Sequence, residues 1–499
     1  YPICYLNLQN MRPWRNWYTR SVEVAVGCFL WKFKSSRPHQ GFMKEKKRII
    51  KKEEFSAENS IVLINRLIND DKNEELKIFI KELHNADIAD ILQNLEPEIR
   101  AQFLDKFRKN FDPEILTYLN DSLRDEIVEA LDIRELASNS KTLDTDDAVD
   151  LIEDFEKSDQ TTFLENIEEN KRKLIEEGLN YPEDSAGRLM QRNFVSVLDS
   201  WNVGDAIDYL RNNKDNLPED FYNIYLIDNE QKISGIVALG RLMGSKRQVD
   251  LKDIKNKDTR TVLVTTDQEE VAYIFSKYGL VSSPVINENN NIIGSITVDD
   301  VVDVIEEERE EDILKLGGVG QTDIYDAVID TTRLRFSWLF LNLLTAILAS
   351  IVIGFFQGSI EKVVALAVLM PIVASMGGNA GTQTLTVAVR ALAIKELTTS
   401  NAIKIVIKET FIGGINGIIF AIIISLVSMY WFQDTLLGFI IGLAMVLNLI
   451  LAGFAGTIIP LSLDRLKIDP ALASGVILTT ITDVFGFLSF LGLASIFLI

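Results

Sequence analysis

Residues 469–486 read Asp-Pro-Ala-Leu-Ala-Ser-Gly-Val-Ile-Leu-Thr-Thr-Ile-Thr-Asp-Val-Phe-Gly. Asp469 and Pro470 form a helix start: a side-chain oxygen caps free amides, and the proline's missing N–H costs nothing at the first helical position. The apolar run that follows is long enough to cross a bilayer. Within it stands one carboxylate, Asp483, roughly 20 Å along the helix axis from Pro470. A charge at that depth costs about 2.5–3.5 kcal/mol on insertion scales. No Lys or Arg falls at membrane depth to pair with it. A cation in a water-filled path is one partner the sequence allows; a protonated Asp held by a neighbouring helix is the other.

Upstream, four more apolar stretches have membrane length, so five spans are expected: 336–356, 363–391, 405–430, 436–462 and 471–498. Arg333 and Arg335 precede the first span. Arg390, Lys395, Lys404 and Lys408 lie in or at the ends bordering the connection between the second and third, and Arg465 and Lys467 between the fourth and fifth. Positive charge on these connections puts the N-terminal part in the cytoplasm and the C-terminus outside a cell membrane. The second span contains Ser375-Met-Gly-Gly-Asn-Ala-Gly-Thr-Gln-Thr384. Asn379 and Gln383 share one helix face. With Asp483 and its neighbour Thr482 they form a set of oxygen donors suited to a hydrated hard cation; gluing helices together is the competing use.

The remainder is different in kind. From Met43 to Arg333 there are 37 Lys/Arg against 64 Asp/Glu, whereas residues 335–499 are nearly neutral. An acidic soluble part disfavours nucleic acid, which needs cations against phosphate. Two cysteines and two histidines in 499 residues leave no basis for a thiolate or His-based metal centre, and no catalytic constellation is visible, so no enzyme is expected. Residues 1–54, basic and aromatic at their start, form a poorly defined extension, and residues 1–42 are expected to lie outside the native reading.

Residues 55–185 have helical apolar spacing and little Pro or Gly, an all-α module. Asn85–Leu95 and Thr145–Phe155 look alike, each opening a helix with an acidic cap, which suggests a superhelical stack. Their acids, Asp87, Asp90, Asp146, Asp147 and Asp150, are expected as caps and solvated faces, with cation contact as the alternative. Residues 186–312 alternate helix and strand. Strand–turn–strand units at 223–239 and 283–298 each lead into a helix. This duplication resembles a tandem pair of CBS modules, an α+β fold whose pairs sense small ligands: repeat one over 186–248, repeat two over 249–312. Thr297 and Asp300 have the spacing that in CBS modules meets the phosphate and ribose of an adenine nucleotide such as ATP; capping of the next helix is the alternative. Beyond them Asp300, Asp303 and Glu307 share one helix face, and Glu308, Glu311 and Asp312 another. Like charges so placed repel until cations neutralise them.

Tyr181-Pro-Glu-Asp-Ser-Ala-Gly-Arg-Leu-Met190, Gly377-Gly-Asn-Ala-Gly-Thr-Gln383 and Thr479-Thr-Ile-Thr-Asp483, in that domain order, resemble the MgtE family of magnesium transporters. The resemblance implies a multidomain, α-helical membrane protein. It would be a homodimer in membrane lipid with a cytoplasmic helical domain, a CBS pair, a connecting plug helix at 313–334 and five transmembrane helices at 335–499. It implies magnesium as substrate and regulator, with Asp483 as the pore carboxylate. Glu269, Asp300, Asp303, Glu308, Glu311, Asp312 and Asp469 would bind regulatory metal. Gly279 and Val476 stand where relatives carry an acid and a Pro. Other divalent ions such as cobalt or manganese, or a membrane-anchored nucleotide sensor, are the alternatives.

Overall fold

The structure, a computed structural model, describes residues 57–498 except 109–110, 141–142, 154, 215–216, 219–220, 257, 320–327 and 399. The expectation for the N-terminal extension therefore lies outside the described residues.

The acidic segment folds into short helices: α1 (Ala57–Asn69), α2 (Asn73–Lys81), α3 (Asn85–Asn94), α4 (Pro97–Phe107), α5 (Asp121–Ala130), α6 (Ile133–Asn139), α7 (Thr145–Glu153), α8 (Lys157–Glu165) and α9 (Glu169–Leu179). Their apolar stripes converge on one core that includes Ile91, Phe103, Leu116, Ile127, Ile152 and Phe163. Side chains close the helix starts, as where Asn120 accepts from the Leu123 amide. One expectation is corrected: the cap of α3 is not an acid but His84, whose Nδ1 accepts from the Ala86 amide. Arg188, inside the Tyr181–Met190 motif, ties this module to the next. Its guanidinium reaches Glu153 of α7 at 2.5 Å and the carbonyls of Tyr181 and Leu179 at 3.0 and 3.2 Å.

Two matching α+β repeats follow. After the short α10 (Ala186–Leu189), the first contains β1 (Ser196–Leu198), α11 (Val203–Asn212), β2 (Asn223–Ile227), β3 (Ile233–Ala238), α12 (Leu239–Gly244) and α13 (Leu251–Ile254). The second contains β4 (Val262–Leu263), α14 (Gln268–Tyr278), β5 (Ser282–Ile286), β6 (Ile292–Thr297) and α15 (Val298–Gly317). Each sheet pairs its first strand parallel and its second antiparallel with the third, and each has a register shift near the end of the middle strand, at Leu226/Ile227 and at Val285/Ile286. The Tyr225 hydroxyl joins the repeats, lying 3.0 Å from Ser282 Oγ and 2.5 Å from Ser295 Oγ.

Five long apolar helices complete the chain: α16 (Val328–Gly354), α18 (Ala365–Ala393), α19 (Ala402–Phe432), α20 (Thr435–Arg465) and α21 (Pro470–Phe497), with the short α17 (Gln357–Lys362) after the first. Spans two to five start and stop within a few residues of expectation; the first helix begins at Val328, eight residues before the apolar stretch. Glycines let α19 and α20 touch backbone to backbone. A side chain at Gly413 would strike the Leu449 carbonyl, and one at Gly453 would strike the Glu409 carbonyl. Close approach of this kind is how helices associate where water supplies no driving force.

Candidate ion pathway and acidic junctions

Asp469 Oδ1 accepts from the Ala471 amide at 2.8 Å, and Pro470 is the first residue of α21. The helix then runs unbroken through Asp483. Asp483 is half-buried, and among the described residues it has neither a hydrogen-bond donor nor a cationic partner. The neighbouring hydroxyls bond inside their own helix: Thr482 to the carbonyls of Leu478 and Thr479 at 3.0 and 3.1 Å, and Thr480 to that of Val476 at 2.6 Å. Thr482 is fully buried, so its oxygen faces helix packing and is already engaged.

Two contacts fix the height of α21 against α18. Gly381 lies against the Leu478 side chain. Gly377 and Gly486 both abut the side chain of Asn448 on α20. Asn379 lies between the two contact points on α18 and Asp483 between those on α21. Ser375, Asn379, Thr382, Gln383 and Thr386 are exposed along α18, with Asn379 Nδ2 3.4 Å from Ser375 Oγ. Gln383 also borders a cleft of about 170 Å³ whose wall includes Glu409 and Asn416; Glu409 continues into an adjoining one of about 250 Å³. Among the described residues no three acidic, His or Cys side chains gather closely enough to chelate a bare metal ion.

On the soluble side, α7 of the helical module faces α15 of the second repeat with acids on both. Asp146 is 8% exposed, and its carboxyl is pushed well above the usual range by burial and then by the charges of Asp300, Asp147 and Asp144. Asp147 is pushed up to about 6, chiefly by burial, with Asp144, Asp150, Glu114 and Asp303 adding repulsion. Asp300 is raised to about 7 by burial, against the opposing pull of its bond from Thr297 and with Asp299 and Asp147 raising it further. Asp146 and Asp147 are thus not the solvated acids expected from sequence; Asp150 is exposed and pairs with Arg124 at 3.4 Å. Thr297 Oγ1 donates to Asp300 Oδ2 at 2.7 Å and the Thr297 amide to the same oxygen at 3.2 Å, so this pair closes the start of α15.

A second acidic group lies where α15 meets the membrane helices. Gln268 Nε2 donates to Glu308 at 2.9 Å. The Glu308 carboxyl is raised, first by burial and then by Glu311, Asp267 and Asp184, with Gln268 opposing. Asp312 is raised by burial and then by Asp469, with Lys315 opposing. Glu269 stands on α14 at the edge of this group; its carboxyl is raised by partial desolvation among these acids and then by repulsion from Glu308. The neighbouring Glu270 pairs with Lys395, from the connection between α18 and α19.

Family models match each of the three parts of the chain: an MgtE intracellular N domain over residues 83–184, CBS domains over 186–246 and 251–307, and MgtE, a divalent cation transporter, over 370–493. The magnesium transporter MgtE of Bacillus subtilis (strain 168) is 30% identical over 434 residues, spanning 87% of this chain and 96% of that protein. The chain belongs to the MgtE family. The magnesium transporter MgtE of Thermus thermophilus is 30% identical over 447 residues, 88% of this chain and 99% of its own. A crystal structure of the cytosolic domain of the Mg2+ channel MgtE in complex with ATP is 27% identical, with a TM-score of 0.45, and covers 49% of this chain and 99% of that one. This MgtE chain is accordingly a multi-pass membrane protein with an intracellular N domain, a CBS pair and a membrane domain for divalent cations.

Two residues of this MgtE chain escaped sequence reasoning. Asn448 is fully buried among α18, α20 and α21, donating through Nδ2 to the Val373 carbonyl at 2.8 Å while Oδ1 has no hydrogen-bond partner. Its signal was an amide alone in the fourth apolar span. Glu409, on α19 beside Lys408 and near the start of the third apolar span, lines both clefts at the α18–α19–α20 contact.

Proposed function

We propose that this chain is a homodimeric magnesium channel, whose pore carboxylate is Asp483 and whose conductance falls when magnesium binds the cytosolic acids. The carrying observation is Asp483 itself: a carboxylate in a transmembrane helix, in the stretch of α21 that packs near the Asn379 segment of α18, with no protein cation among the described residues to compensate it. Magnesium sheds water reluctantly and prefers octahedral oxygen. A site with one carboxylate and one amide from each subunit suits an ion held through its water shell, with Gln383 adding an acceptor along the same face. Thr482 contributes by packing. The membrane potential supplies the drive, about 2.3 kcal/mol per charge per 100 mV. The test is uptake into proteoliposomes loaded with a magnesium dye. D483A and D483N should abolish uptake while leaving the protein monodisperse; retained uptake removes the assignment.

The regulatory reading rests on the two junctions. Asp146, Asp147, Asp300 and Asp303 face one another between α7 and α15; Glu308, Glu311, Asp312 and Asp469 meet near the start of α21, with Glu269 at the edge. Such groups stay together only when protons or cations offset their repulsion. Hydrated magnesium, bridging through water, is the intracellular ion of matching charge and hardness. Millimolar magnesium should protect the cytosolic domains from protease, and equal cleavage with and without it would sink this part. A nucleotide at Thr297 and Asp300 would have to break their mutual hydrogen bond and bring phosphate beside Asp299 and Asp147; charge favours metal over nucleotide there.

A further inference from the structure

Lys315 sits in the last turn of α15, in the middle of the second acidic group. Its Nζ lies 2.6 Å from Oε1 of Glu311, one turn back on the same helix, and 2.7 Å from Oδ2 of Asp469. Asp469 therefore does two things at once: one oxygen caps α21 and the other receives the ammonium of α15. The Lys315 side chain is 21% exposed. The next residue, Leu316, packs against the apolar cluster of Leu385, Val389, Ala471 and Leu478, which holds the two helix ends together and limits water around the pair.

The acids around the ammonium are Glu311, Asp312 and Asp469, three negative charges when ionised, of which Lys315 offsets one; Glu308, further back on α15, is held by Gln268. What remains beside the lysine is the charge of a single divalent ion. We propose that Lys315 is a positioning residue of the gate: a built-in cation that clamps α15 to the start of α21, and so sets where the Asp483 helix stands when the cytosolic face is loaded with metal. This rests on the gating reading above. The lysine does not compete with the ion. It lowers the repulsion that a single ion must overcome, so that one divalent ion suffices to close the junction.

The experiment uses the full-length chain in oriented proteoliposomes, with uptake followed as magnesium is raised on the side of the cytosolic domains. Each variant is normalised to its own metal-free rate. K315Q and K315M, the second keeping the stem without the charge, should each raise the half-inhibiting magnesium concentration about three- to fivefold, the scale of a half-exposed ion pair. K315R should stay within about twofold of the parent, because it restores the charge and its reach. A merely structural role for the stem would leave K315M unshifted. An unchanged midpoint in whichever neutral variant folds overturns the proposal. So does a lowered midpoint, which would make the lysine a competitor of the metal. If the parent chain shows no inhibition at all, the gating reading fails instead, and the two failures are told apart by that single control.

Discussion

Burial raises Asp300 and Asp147 first, and each also feels an acid of the facing helix, Asp147 acting on Asp300 and Asp303 on Asp147. With Asp300 raised to about 7 and Asp147 to about 6, contact between α7 and α15 favours the protonated acids. Groups raised on docking leave the docked form fully stable below their free value and weaken it as pH rises through the docked value. Without magnesium, the helical domain should therefore hold to the second CBS repeat most firmly at about pH 4 and loosen progressively up to about pH 7. Magnesium should restore the contact at pH 8. Limited proteolysis across that range checks the sign; tighter metal-free docking at high pH would contradict it. The sequence displayed these acids but not their burial, because Asp146 and Asp150 belong to the same acidic helix and only the fold decides which one faces α15. Thr297 and Asp300 were legible as a pair, with two meanings; in the structure they are hydrogen-bonded to each other at the start of α15.

At the scale of elements, α18, α20 and α21 meet around Asn448 with no room to spare. A β-carbon on Gly486 would lie 2.8 Å from Asn448 Nδ2, whereas one on Gly414 of α19 would make an ordinary 3.6 Å contact with Ile450. G486A should lower the detergent-solubilised unfolding temperature, with a cost of about 1–3 kcal/mol for overpacking, and should depress uptake through displacement of α21. G414A should do neither. Comparable behaviour of the two variants would show that the Asn448 contact does not set the helix spacing. The transmembrane helices were readable because apolar length is a strong signal, and the duplicated hairpins because their register repeats. The start of α16 was not: Thr331, Thr332, Arg333 and Arg335 lower the hydropathy while the helix continues. The reverse holds for Thr479, Thr480 and Thr482, whose hydroxyls look polar in sequence but are satisfied by carbonyls of their own helix.

For the whole molecule, two features of the membrane helices bear on the proposed dimer. The polar stripe on α18 is exposed in a membrane-spanning helix, and only 6% of the α16 span is covered by its own chain. Polar side chains at bilayer depth turn to protein or to a water path rather than to lipid, and the proposed dimer would give the stripe both. Native mass spectrometry from detergent should give a species of twice the chain mass, and a monomer with full uptake would refute the shared pore. Hydrogen exchange on the same preparation should slow in α7 and α15 when millimolar magnesium is added, with no such change for equal ionic strength of potassium chloride.

Asp469 and Asp483 stand on one uninterrupted rod. A swing of about ten degrees about the end held by α15 would carry the far carboxylate about 3.5 Å, given the roughly 20 Å of helix between them. That is near half the width of a magnesium ion with its first waters, roughly 7 Å. A conduit sized for the hydrated ion could thus be shut by a small rigid tilt begun at the cytosolic rim, with no side chain at the constriction changing rotamer.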